Sequence, residues 1–179
     1  MKNIEIKART DRANQIRSIL MEQNADSRGI DHQIDTYFRI PEGRMKLRQG
    51  DIENCLVYYE RPNQAGPKRS DVFLAFPEDT DGVRDVLSKA LGVLCVVRKH
   101  REILFIGNTK FHLDEVDELG SFVEIEVIDH DDGLPVNELE ATCQRYMTAL
   151  GIRTGDLITD SYSDMLLSQS DRNETTSGK

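Results

Sequence analysis

Residues 3–9 read Asn-Ile-Glu-Ile-Lys-Ala-Arg, with Ile4, Ile6 and Ala8 on one parity and Glu5, Lys7 and Arg9 on the other. Such period-two alternation predicts a β-strand whose second face is charged. The device recurs. Arg44, Lys46 and Arg48 alternate with Met45 and Leu47; Lys99 and Arg101 share a face with Val97; Glu124 and Glu126 alternate with Val123 and Ile125. Lys110, His112 and Asp114 take the parity opposite Phe111 and Leu113. Arginine and lysine side chains converging from separate strands suit a ligand with many anionic oxygens, most naturally a chain of phosphates. A group of carboxylates suits a hard divalent cation, Mg²⁺ or Mn²⁺, which would bridge to phosphate oxygens and neutralise charge during displacement at phosphorus.

The competing account is plain solvation, because an antiparallel sheet with one wet face carries charges there for no further reason. Segregation of sign favours a shared lining: residues 44–48 present three cations and no anion, while Glu124 and Glu126 are both acidic. If the strands close into a barrel with the charges inside, desolvation costs several kcal/mol per ion, so the interior must be wet and ligand-filled or its charges must pair.

The elements that would position these residues follow from pattern and punctuation. Helices are predicted over 11–25, 80–91, 135–150 and 159–167, and strands over 34–40, 44–48, 54–61, 71–76, 93–104, 110–116 and 122–128, in addition to the first. The polar stretch 26–33, containing Gly29, reads as a connection, as does 62–70. Arg61 ends its strand on the charged parity. Residues 168–179 lack apolar periodicity, so the expected organisation is one α+β domain over 1–167 and a disordered tail.

A net charge of −9 argues against a general nucleic-acid binder, although a cleft can still be cationic locally. No run of 18 apolar residues and no secretory h-region occur, so neither a membrane helix nor export is expected, and a cytoplasmic location is. Cys55, Cys95 and Cys143 are odd in number and widely spaced, which predicts free thiols in a reducing compartment.

The opening strand, Gly43-Arg44-Met45-Lys46-Leu47-Arg48, Lys99-His100-Arg101, and the run from His112-Leu113-Asp114-Glu115 to Phe122-Val123-Glu124-Ile125-Glu126 together resemble the CYTH superfamily of triphosphate tunnel metalloenzymes. That resemblance implies an eight-stranded antiparallel β-barrel with helices outside, and catalytic roles for Glu5, Lys7, Glu124 and Glu126. It implies Mg²⁺ or Mn²⁺ on Glu5, Asp114, Glu124 and Glu126. It also implies a triphosphate on Lys7, Arg9, Arg44, Lys46, Arg48, Arg61, Lys99 and Arg101. Ile4, Ile6, Met45, Leu47, Val123 and Ile125 would then face the outer helices. The chain departs from the family pattern Glu-x-Glu-x-Lys by having Asn3 at its first position, which offers a neutral oxygen and no charge. Glu22 or Asp35 is available to replace that carboxylate.

The substrates this implies are ATP, thiamine triphosphate or tripolyphosphate, with the oligomeric state open between monomer and homodimer. Asp35-Thr36-Tyr37-Phe38, Tyr58-Tyr59-Glu60-Arg61-Pro62 and Ser161-Tyr162-Ser163-Asp164-Met165-Leu166 are most similar to the class IV adenylate cyclase branch, which points to conversion of ATP to cyclic AMP and pyrophosphate. Hydrolysis of a triphosphate and non-catalytic binding of polyphosphate or of a protein remain the alternatives. Tyr37, Phe38, Tyr58 and Tyr59 either stack on a base or pack the sheet. His112 is either a general base or a hydrogen-bonding partner of a neighbouring carboxylate.

Overall fold

The computed structural model describes residues 2–60, 67–129 and 133–177, with side chains left aside for Lys2, Lys68 and 173–177. Eight strands, β1 (Lys2–Arg9), β2 (Asp26–Phe38), β3 (Arg44–Gln49), β4 (Cys55–Glu60), β5 (Lys68–Ala75), β6 (Val93–Ile106), β7 (Thr109–Val116) and β8 (Gly120–Asp129), form a closed barrel in the order β1-β5-β4-β3-β2-β6-β7-β8. Every pairing is antiparallel. Helices α1 (Ala13–Glu22), α2 (Thr80–Leu91), α3 (Val136–Ala149) and α4 (Tyr162–Ser177) lie between or after the strands. Barrel closure leaves no sheet edge unpaired and forces each strand to present one parity inward.

The apolar parity of β1, β7 and β8 is what draws in the helices. Ile4, Ile6 and Ala8, Phe111 and Leu113, and Val123, Ile125 and Val127 form one buried cluster with Ile16 and Leu20 of α1 and Leu139, Cys143 and Met147 of α3. Full burial of each large aliphatic side chain contributes about 1.5–3 kcal/mol, so this face anchors the fold. The opposite wall is thinly covered: Ile30, Ile34 and Phe73 are exposed, and α2 buries none of its residues.

Two elements differ from the sequence pattern. β2 begins at Asp26, so residues 26–33 are strand and not a connection. Gly29, at φ 100°, accommodates a register shift between Ser27 and Gly29, and this bulge breaks the alternation that would have announced the strand. The last helix runs on to Ser177, with Ser168 and Ser170 hydroxyls donating to the carbonyls of Asp164 and Leu166. Residues 168–177 are therefore helical where a disordered tail was expected. Strand β5 also starts earlier, at Lys68. Arg61 lies outside the described residues, as does part of the loop expected over 62–70. The three cysteines are free thiols. Among the described residues no helix is long and apolar enough to cross a membrane.

Candidate active site

The inward parity of the strands encloses a cavity of about 580 Å³. Its cations are Lys7 (β1), Lys46 and Arg48 (β3), Lys99 and Arg101 (β6) and Lys110 (β7); its carboxylates are Glu5 (β1), Glu53 (the β3–β4 loop), Glu124 and Glu126 (β8). Cross-strand register explains the grouping. Glu5 lies opposite Glu126 and Lys7 opposite Glu124 on β8, while Lys110 and His112 of β7 oppose the same two glutamates from the other side.

The charges are paired in layers. Asp35, beneath the cavity surface and 1% exposed, accepts from Lys46 Nζ at 2.8 Å, Lys99 Nζ at 2.6 Å and Arg48 Nε at 3.0 Å. Burial pushes the Asp35 carboxyl up, but Arg48, Lys46 and Lys99 together hold it well below its usual range. Arg101 donates from Nε to Asp114 Oδ1 at 2.7 Å and from Nη2 to Glu124 Oε2 at 2.8 Å. Lys7 Nζ lies 3.2 Å from Glu124 Oε1 and 3.7 Å above the Tyr162 ring. Burial and three neighbouring cations outweigh the attraction of Asp35 for Lys99 and bring its ammonium down to about 7.

The acidic end of the cavity is built differently. Asn3 Nδ2 donates to Glu126 Oε1, and among the described residues the buried Asn3 Oδ1 has no partner. Burial pushes the Glu126 carboxyl up, and nearby Glu5 and Glu124 add to this against Lys110 and Asn3. His112 Nδ1 stands 3.0 Å from Glu124 Oε2. Burial, aided by Arg101 and Lys110, brings the His112 imidazole down to about 3, so it is neutral and donates Nδ1–H to the glutamate. Its buried Nε2 has no partner among the described residues.

Not every expected site residue reaches the cavity. Arg9 is exposed: its Nη1 donates to Leu119 O at 2.8 Å and its guanidinium covers Phe122 at 4.8 Å. Phe122 in turn packs on Tyr162 at 5.0 Å, and Tyr162 covers Lys7, so two aromatic rings separate Arg9 from the cavity. Arg44 pairs with Asp164 of α4 at 2.7 Å beside a separate recess. Asp114 does not line the cavity; its oxygens accept from Arg101 and from Tyr162 Oη at 2.7 Å. Tyr37 and Tyr59 reach the cavity wall, whereas Tyr58 faces outward and donates to Glu60 at 2.5 Å.

Two contributors escape the sequence pattern, and a third takes another role. Asp35, inside the predicted strand 34–40 and available there to replace the missing carboxylate, is instead the buried partner of Lys46, Arg48 and Lys99. Glu53 sits in a turn, where no alternation marks its direction. Tyr162 begins a helix, and nothing local shows that its hydroxyl reaches Asp114.

The remaining wall is largely apolar. Val57 and Tyr59 of β4, Val72 and Leu74 of β5, and Ile52, Phe76, Phe105 and Ile128 make up most of it, with Asn54, Ser70 and Ser161 as polar members. A cavity that places a cationic floor beside an apolar wall fits a polyanion carrying an organic group.

A closed eight-strand antiparallel barrel whose interior gathers charged side chains from β1, β3, β6, β7 and β8 defines the class of a tunnel-barrel fold. The chain matches the CYTH domain over residues 1–162, and it belongs to that family. Solved structures agree on the fold. The PH1012 protein from Pyrococcus horikoshii OT3 superposes with a TM-score of 0.77 at 22% identity, covering 90% of this chain and 98% of that one. A candidate adenylate cyclase from Vibrio parahaemolyticus gives 0.70 at 18%, covering 92% and 97%. HpAC1 from Hippeastrum, a candidate adenylyl cyclase with a dominant triphosphatase activity, gives 0.61 at 14%, covering 95% of each chain. No curated protein matches the chain at a significant level.

Proposed function

We propose that the chain is a metal-dependent enzyme that breaks a P–O bond in an organic triphosphate held in the barrel. The observation that carries this reading is the convergence of Lys7, Lys46, Arg48, Lys99, Arg101 and Lys110 on one cavity beside an acidic end. Those six cations are matched by Glu5, Glu53, Glu124, Glu126, Asp35 and Asp114, so the described site has little net charge of its own. A polyanion therefore binds well only in company with a cation.

The acidic end fits such a cation by its donor chemistry. Glu5 and Glu126 oppose each other, Asn3 Oδ1 is buried with no partner among the described residues, and burial, with Glu5 and Glu124 nearby, pushes the Glu126 carboxyl up. Oxygen donors of this kind suit Mg²⁺ or Mn²⁺. Among the described residues no three His, Cys, Asp or Glu side chains are gathered as a ready-made metal set. Glu124 is engaged by Lys7, Arg101 and His112; the opposed pair Glu5 and Glu126, with Asn3 Oδ1, are the residues that would hold the ion. When bound, it would neutralise charge on the phosphate oxygens and on the leaving group.

Lys46, Lys99 and Arg101 hold the phosphate chain by charge-assisted hydrogen bonds, and Lys7 stabilises charge that develops next to Glu124. Tyr162 closes one end over Lys7, which fixes how deep the chain can run. The family likeness of the segments around Tyr37, Tyr58 and Tyr162 favours ATP, cyclised to cyclic AMP with release of pyrophosphate. Hydrolysis is the second reading. It is favoured by the apolar wall of Val57, Val72 and Leu74, which can hold an end group without orienting a sugar hydroxyl toward the α-phosphorus.

Incubation with ATP, thiamine triphosphate and tripolyphosphate in Mg²⁺ and Mn²⁺, with product identification, tests both. Cyclic AMP with pyrophosphate supports cyclisation, and orthophosphate supports hydrolysis. No turnover of any of them, together with no thermal stabilisation by them, sinks the proposal.

A further inference from the structure

The loop between β3 and β4 sends a carboxylate across the cavity. Glu53 Oε2 accepts from Arg48 Nη1 at 2.7 Å and from Gln33 Nε2 at 3.2 Å, while Oε1 accepts from Lys110 Nζ. Arg48 belongs to β3 and Lys110 to β7, and β2 and β6 stand between those strands in the barrel. Glu53 therefore ties together two walls that no backbone pairing joins.

The loop is held from below. Asp31 Oδ1 accepts from the amide of Ile52 at 2.9 Å and Asp31 Oδ2 from the amide of Glu53 at 3.0 Å. Asn54 exchanges hydrogen bonds with the backbone of Gly50, and a Cβ on Gly50 would lie 2.6 Å from Asp31 Oδ1. Asp31 is itself fully buried. With its own amide tied down, Glu53 is a fixed anion and not a swinging arm. The exposed apolar residues Ile52, Leu74 and Phe76 share the cavity lining with it.

We propose that Glu53 is a specificity-determining residue that ends the cationic row at Arg48 and Lys110. It thereby rejects ligands that bring further negative charge to this rim and favours a triphosphate whose far end is an uncharged organic group. The proposal rests on the reading of the cavity as a triphosphate site. Glu53 works by repulsion: an additional or terminal phosphate at the rim meets its carboxylate, and the two cations that would offset that phosphate are already engaged. An organic end group meets Ile52, Leu74 and Phe76 instead and gains by burial. Inorganic tripolyphosphate and tetrapolyphosphate carry charge at both ends, whereas ATP presents only one charged end.

Calorimetric titration of Mg²⁺-saturated full-length protein with ATP, tripolyphosphate and tetrapolyphosphate tests this in the wild type, Glu53→Gln and Asp51→Asn. Asp51 lies on the same loop but is exposed and pairs with His32, so its variant removes one negative charge without touching the cavity. Glu53→Gln should bind both inorganic chains about tenfold more tightly than wild type while its ATP affinity changes by less than about threefold, and Asp51→Asn should shift none of them selectively. Equal tightening for all three ligands, or the same selective gain in Asp51→Asn, overturns the proposal. So does uniform weakening in Glu53→Gln, because Glu53 would then be holding Arg48 and Lys110 in place for the ligand. Failure of wild type to bind any of the three overturns the triphosphate reading itself, which is a different result. If Glu53→Gln does not fold, Glu53→Asp keeps the charge but withdraws it by one methylene, and it must show a smaller gain in the same direction.

Discussion

Lys99 Nζ donates to Asp35 Oδ2 across 2.6 Å, with the two side chains 0% and 1% exposed. Asp35 serves Lys46 and Arg48 as well, so Lys99 shares this anion with two other cations. Burial lowers the ammonium, Asp35 opposes this, and Arg101, Arg48 and Lys46 lower it again, to about 7. A lysine depressed in the folded state lowers stability where the unfolded chain is protonated and the folded one is not. Its contribution therefore improves as pH rises from about 7 toward the unfolded value of about 10.4. A bound polyphosphate favours the charged form and reverses the preference. At pH 8 binding should take up a proton, and affinity should fall as pH rises above about 7. Calorimetry in buffers of different ionisation enthalpy reads the uptake directly, and Lys99→Met should abolish it. Uptake that persists in Lys99→Met would assign the proton elsewhere.

Asp35 is expected to matter more for stability than any carboxylate facing the cavity. Asp35→Asn leaves Lys46, Arg48 and Lys99 facing one another with their common partner neutralised. Removing one partner from a buried ionic group costs about 3–5 kcal/mol, which for a domain of this size lowers Tm by roughly 10 °C. Tripolyphosphate should restore more stability to this variant than it adds to wild type, since it supplies the missing anion. Thermal melts with and without ligand decide the matter, and a variant that melts like wild type would contradict the pairing.

Glu126→Gln tests the acidic end. The Glu126 carboxyl is raised by burial and by Glu5 and Glu124, so a proton competes with a divalent cation there more strongly than at an ordinary glutamate. Mn²⁺ affinity of the wild type should rise with pH above the usual glutamate value of about 4.3, and Glu126→Gln should flatten that rise. Metal-dependent turnover should fall by about 10²-fold or more, while metal-free tripolyphosphate binding stays at or above the wild-type level. Manganese titration followed by relaxation or calorimetry separates the two effects. Loss of metal-free binding in Glu126→Gln would instead mark a structural role.

The barrel was legible because alternation is a local signal and closure forces it to be consistent around the ring. Ile4, Ile6, Val123 and Ile125 lie against the helices as their parity requires. Parity says which face a residue takes but not how far along the barrel it sits. Arg9 and Arg44 share the parity of Lys7 and Lys46 yet lie beyond the aromatic layer of Phe122 and Tyr162 or against Asp164. Depth depends on strand stagger and on where α4 returns, and both are long-range facts. Asp114 shows a second limit, because a carboxylate on the right face is removed from the site by its own ion pair with Arg101. Glu53 shows a third, since a turn residue's direction is set by the Asp31 contacts beneath it and not by its neighbours in sequence.

Tyr162 joins α4 to the site, and its two contacts can be removed separately. Its hydroxyl donates to Asp114 Oδ2 at 2.7 Å, and its ring lies 3.7 Å from Lys7 Nζ. Tyr162→Phe deletes only the donor. Asp114 keeps Arg101, so the cost should be about 1–2 kcal/mol, seen as a Tm lower by a few degrees with turnover nearly intact. Tyr162→Ala also deletes the ring, exposing Lys7 to water and opening the layer that separates it from Phe122 and Arg9. Lys7 then loses the cation–π contact and the depth of the cavity is no longer fixed, so turnover should fall by about tenfold or more while Tm falls further. Paired melts and steady-state rates on the two variants read this difference. Equal loss of turnover in Tyr162→Phe would mean that the hydroxyl, through Asp114 and Arg101, governs the reaction more than the ring does.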